Sequence, residues 1–161
     1  MKTATTLIAL SLVALTAIAA DKIIPGPKGG KMLDQQTEFY VDSDRKVVIT
    51  FYGVDLKPVA AGAQTAVVWA DAKSGRVKLE METKSDALVS KTSLPEGDGY
   101  NVMVQLKPAP DAKAQNFKIV YHDEPCSKCK RAEYACSCDK HEAHDGGHDD
   151  HGHKEGDAHK H

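Results

Sequence analysis

The chain of 161 residues has no cysteine before Cys126, no histidine before His122, a single tryptophan and only 6% aromatic residues. It has no basic excess either: 21 Lys and Arg stand against 23 Asp and Glu, a net charge of -2. Without a basic field nothing neutralises phosphates, which argues against nucleic acid as a partner. No long apolar run follows residue 20. Nucleophile elbow, phosphate-cradling glycine loop and H-E-x-x-H are all absent, and before the tail His122 stands alone, so no catalytic set emerges. What remains is length enough for one compact domain with appendages.

The first appendage is residues 1–20. Met1-Lys2 precedes an uncharged apolar run from Leu7 to Ala20, and Ala17-Ile18-Ala19 supplies a small-residue exit. A basic start, a short apolar core and an A-x-A exit read as a secretory signal peptide cleaved after Ala19 or Ala20. The run of 14 residues falls short of the roughly 18–20 that span a bilayer. The expectation is a soluble exported protein in a compartment that tolerates disulfides.

Residues 21–36, with Pro25, Pro27, Gly26, Gly29 and Gly30, read as an extended lead-in. From Glu38 to Tyr121 the pattern becomes period two, which is strand chemistry. The alternation starts at Glu38. Val47-Ile49-Phe51, Val67-Trp69, Val77-Leu79-Met81, Leu88-Ser90, Val102-Val104-Leu106 and Phe117-Ile119-Tyr121 continue it. Turn chemistry separates them at Asp42-Ser43-Asp44, Asp55–Pro58, Ser74-Gly75, Lys84–Asp86, Pro95–Gly99 and Pro108–Pro110. Seven strands at this spacing predict an all-β fold, a seven-stranded immunoglobulin- or fibronectin-like β-sandwich over residues 37–122. Leu94–Val102 resembles the tyrosine-corner segment of such sandwiches, which implies that the Tyr100 hydroxyl ties back to upstream backbone. Trp69, Met81 and Met103 are assigned to the core, and this domain is expected to fold without the cysteines.

Residues 123–141 carry the strongest signal. Cys126-x2-Cys129 is followed after six residues by Cys136-x-Cys138-x2-His141. Thiolates are soft donors suited to Cu(I) and Zn(II), and zinc takes four tetrahedrally. His122 and His141 flank the set as spare nitrogen donors. Structural disulfides across the loop, a thioredoxin-like redox pair and reactive thiols are the alternatives. Residues 142–161 form a tail expected to be disordered without ligand. His141 at its edge and His144, His148, His151, His153, His159 and His161 within it alternate with Asp, Glu and Gly. Neutral imidazoles suit Zn(II), Cu(II) and Ni(II), so the reading is metal capture in several registers.

Gly26-Pro27-Lys28-Gly29-Gly30-Lys31-Met32-Leu33, followed by Glu38-Phe39-Tyr40-Val41, resembles the opening of a small domain found in heavy-metal efflux. That domain is fused to the N-terminus of some periplasmic adaptor subunits of resistance-nodulation-division metal exporters, and short secreted bacterial proteins carry a similar one. Gly53–Val59 resembles a later segment of the family ending in G-K-P-V, with Leu56 where the family often has Gly. The resemblance covers Gly26 to Tyr121, and the adaptor's coiled-coil and barrel domains have no counterpart. It implies a periplasmic setting, metal tolerance and an efflux-pump adaptor as partner, and carries over no ligand residue. The combined expectation is a non-catalytic exported metal scavenger, buffer or donor. Its alternative is an interaction module whose cysteines form structural disulfides.

Overall fold

The computed structural model describes residues 25–138. The signal-peptide reading and His141–His161 lie outside them. Nine strands form: β1 Lys31–Met32, β2 Thr37–Val41, β3 Val47–Tyr52, β4 Pro58–Val59, β5 Thr65–Ala72, β6 Gly75–Lys84, β7 Ala87–Ser90, β8 Tyr100–Lys107 and β9 Gln115–Tyr121. The seven expected strands are β2, β3 and β5 to β9. The two additions are two-residue pieces too short to leave a periodic trace. Among the described residues no α-helix forms, and no helix is long and apolar enough to cross a membrane.

The ladders join all strands into one antiparallel sheet in the order β1-β2-β3-β7-β6-β5-β8-β9, with β4 also on β3. The expected seven-stranded sandwich is thus drawn as a single curled half-barrel. The continuity comes from β6. Its first part, through Glu80, pairs with β5, and Met81–Lys84 pair with β7, so one ten-residue strand carries the sheet around the bend.

Register explains the core. Phe39, Ile49 and Leu88 lie in one cross-strand row. Leu79, Val68 and Val104 lie in another, and Ala70, Val102 and Ile119 in a third. All nine are buried in one cluster enclosed by the curl. Burying branched side chains in aligned rows removes apolar surface at about 25 cal/mol per Å². Met81 packs against this cluster. Trp69 and Met103 do not belong to it. They are cross-strand neighbours on the opposite face, because Ala66, Val68 and Ala70 are the residues of β5 that turn inward. The Arg76 guanidinium lies over the Trp69 ring at 5.8 Å. Tyr100 Oη donates to the Pro95 carbonyl at 2.8 Å, the tie-back expected of that segment.

The lead-in is folded rather than merely extended. Gly26 to Gly29 closes a turn, Gly29 N–H to Gly26 O at 3.0 Å, with Gly29 at φ +95° where a side chain would be strained. The loop wraps the fully buried carboxylate of Glu38, which accepts from Gly30 N–H at 2.7 Å, from Lys28 N–H at 3.0 Å and from the Tyr52 hydroxyl. A Cβ at Gly26 would overlap Glu38 Oε1, and one at Gly30 would overlap the Phe39 carbonyl oxygen. The glycines are needed because backbone approaches backbone and carboxylate this closely.

Candidate metal centre

Past β9 the chain makes a compact double turn. Pro125 and Ala132 form an antiparallel bridge. Inside it Cys126 N–H donates to Arg131 O at 2.7 Å and Lys130 N–H to Cys126 O at 3.0 Å. Lys130 takes φ +62°, a left-handed residue that turns the C-x2-C hairpin back on itself. A 3-10 turn over Glu133–Ala135 follows, closed by Cys136 N–H to Glu133 O at 3.0 Å, and delivers the C-x-C pair to the first pair.

The result is a group of four sulfurs, Cys126, Cys129, Cys136 and Cys138, all within 4.8 Å of one another. Measured separations are 3.3 Å for Cys126–Cys136, 3.7 Å for Cys129–Cys136 and 3.9 Å for Cys126–Cys138. Zinc–sulfur bonds of about 2.3 Å place tetrahedral sulfurs ~3.8 Å apart. A disulfide needs about 2.05 Å, and no pair stands at that distance. The four sulfurs are close enough together that they could share one ion. Four thiolates around one ion would fill a tetrahedral coordination shell and leave no position for water.

The surroundings fit. A zinc tetrathiolate carries a formal charge of about -2, and the intervening residues supply three cations, Lys128, Lys130 and Arg131, against the single carboxylate of Glu133. The Arg131 backbone N–H points at the Cys129 sulfur and holds its thiol below the ordinary value. Cys138 N–H reaches the Cys136 sulfur at 3.4 Å. Burial has the opposite effect on Cys136, whose thiol is pushed up to about 12, so a proton would compete with an ion there.

The cysteine segment is also part of the folded body, which sequence reading had set apart from it. Tyr134 and Ala135 are 5% and 3% exposed and belong to the same core cluster as the strands. The Tyr134 ring stacks on Tyr121 at 5.4 Å and meets Phe39 edge-on at 5.7 Å. Its hydroxyl accepts from Val41 N–H at 3.0 Å. Arg131 Nη1 donates to the Gly26 carbonyl at 3.2 Å. The turn thus touches β1 and β9, the two ends of the sheet order, and spans the seam between them.

His122 is not a member of the sulfur group: its Nδ1 lies 2.8 Å from Asp98 Oδ2. His141, His144, His148, His151, His153, His159 and His161 lie outside the described residues. At the far end of the half-barrel a cleft of about 400 Å³ runs between Thr37, Phe51, Tyr52, Gln64 and Leu106. The one acid in its lining, Asp34, accepts from Gln36 N–H and the Thr37 hydroxyl. Sequence reasoning missed Tyr134, Arg131 and Glu38; a lone aromatic among charges between two cysteine pairs was the available signal for the first. Comparison with known protein families, with curated proteins and with solved structures found no match to this chain.

Proposed function

We propose that the protein is an exported, non-catalytic transition-metal-binding protein that scavenges, buffers or donates ions beside a heavy-metal efflux system. In this reading Cys126, Cys129, Cys136 and Cys138 hold a thiophilic ion, Zn(II) or Cu(I), and the histidine tail gathers Zn(II), Cu(II) or Ni(II) more loosely. The single observation that supports it most is the convergence of four sulfurs within 4.8 Å without a disulfide. The periplasmic setting rests on the signal-peptide pattern of residues 1–20. Kinship with the efflux-associated domain, and with sandwich domains more widely, rests on the Gly26–Leu33 motif and on the Tyr100 tie-back.

Elemental analysis of untagged protein, paired with thiol titration before and after chelation, tests the reading. Stoichiometric metal, with thiols that become reactive only after chelation, is the expected result. Thiols that stay silent even in denaturant mean disulfides, and would leave an interaction module in place of a metal carrier.

A further inference from the structure

We propose that ion occupancy at the four cysteines is transmitted to the Gly26–Gly30 loop, making that loop a metal-responsive segment; the inference rests on the metal reading above. The covalent order carries the first part of the argument. Cys126 and Cys129 precede Arg131 and Tyr134, while Cys136 and Cys138 follow them. An ion that ties the four sulfurs closes the arch on which both docking side chains stand. It removes the closure entropy that a free arch would otherwise retain.

The second part is the contact itself. Arg131 Nη1 binds the Gly26 carbonyl at 3.2 Å, and the same oxygen accepts Gly29 N–H at 3.0 Å to close the turn. That turn presents the Lys28 and Gly30 amides to Glu38. The third part is close packing. No Cβ fits at Gly26 or Gly30, so the loop backbone lies directly against Glu38 and Phe39. Glycine's freedom elsewhere leaves the closed turn dependent on bonds such as that from Arg131 to the Gly26 carbonyl. Because coupling is reciprocal, a loop that fails to close should also weaken ion binding.

The test uses the full-length chain. Cobalt titration reports cysteine ligation through sulfur-to-cobalt absorption, a signal the histidine tail does not give. Amide exchange is then followed at Lys28 and Gly30 with zinc and with chelator, taking Val68 and Val104 as core references. Losing a hydrogen bond from a charged donor predicts roughly ten- to a hundredfold faster loop exchange without zinc, while the core amides stay protected. Arg131→Ala should still develop the cobalt signal, yet its loop should exchange equally fast with and without zinc.

Three results overturn the proposal: loop exchange indifferent to zinc, loop and core amides released together, or zinc protection that survives Arg131→Ala. The wild-type comparison decides alone if that variant fails to fold. No sulfur-to-cobalt absorption in the wild type removes the metal reading itself, and is distinguishable from all three.

Discussion

Tyr134 and Val41 are separated by 93 residues, yet the phenol oxygen of one is the partner of the buried amide of the other, at 3.0 Å. A single side chain from the cysteine segment therefore satisfies a strand donor that water cannot reach. Tyr134→Phe keeps the ring contacts and orphans the Val41 amide, which should cost about 1–3 kcal/mol. Tyr134→Ala adds a cavity beside Phe39 and Tyr121 and should cost about 3–5 kcal/mol. Chemical denaturation of both variants checks the order, and a Phe variant as stable as wild type would refute the hydrogen bond's role.

Truncation after Tyr121 tests the same packing at larger scale. Sequence periodicity alone predicts a self-sufficient domain over residues 37–122, whereas Tyr134 and Ala135 sit in its core. The truncated chain should keep β-type circular dichroism but melt at a clearly lower temperature, and it should bind a dye specific for exposed apolar surface.

Alkaline pH should destabilise the protein in a defined window. Burial pushes the Tyr134 phenol from its ordinary 10.0 up to about 12. The neutral form is favoured in the folded state, so this contribution is fully present below about pH 10 and is lost as pH rises toward about 12. Tyr52 and Tyr121 are also raised by burial and act in the same direction at still higher pH. Melting temperatures between these limits should fall less steeply in Tyr134→Phe than in wild type. Parallel curves would show that this phenol contributes nothing to the alkaline loss.

The Glu38 cradle yields a mutational pair. Gly30→Ala places a methyl group onto the Phe39 carbonyl oxygen, a backbone atom that cannot yield cheaply. Glu38→Ala strands the Lys28 and Gly30 amides and the Tyr52 hydroxyl together. Each should lose at least about 2 kcal/mol, since every orphaned buried group costs about 1–3 kcal/mol. Urea denaturation midpoints provide the comparison.

The two proposed metal-binding segments should separate by ion. Replacing all four cysteines with Ser should abolish tight Cu(I) binding and leave Ni(II) binding largely intact, because thiolates prefer Cu(I) while imidazoles serve Ni(II). Deleting His141–His161 should do the reverse. Parallel titrations with a Cu(I) competitor and Ni(II) calorimetry decide it. Joint loss of both ions in either variant would mean one shared site.

How much of this was legible depends on the residue. β8 alternates buried and half-buried along its length, as Val102-Val104-Leu106 foretells. β5 carries apolar residues on both faces, so period two could not assign parity, and the large Trp69 was placed inside where the small Ala66 and Ala70 belong. Cysteine spacing exposed the sulfur cluster because ligand geometry is local. The contacts of Arg131 with Gly26 and of Tyr134 with Val41 left no such trace, since each joins residues about a hundred positions apart. Glu38 was not singled out at the start of its alternating strand; only Gly26, Gly29 and Gly30, eight to twelve residues upstream, hinted that backbone would fold over it.

The seam-spanning turn has a kinetic consequence. Its partners, Gly26 and Val41 at one end and Arg131 and Tyr134 at the other, enclose nearly the whole described chain, so closure belongs to the highest sequence separation in the fold. Contacts of that kind form late, after the β5–β6 and β8–β9 hairpins have paid their own loop entropies. A nascent chain therefore closes this seam only when Arg131 and Tyr134 emerge. In refolding, protection of the Val41 amide should trail that of Val104, and ion supplied at the start should shorten the interval between them.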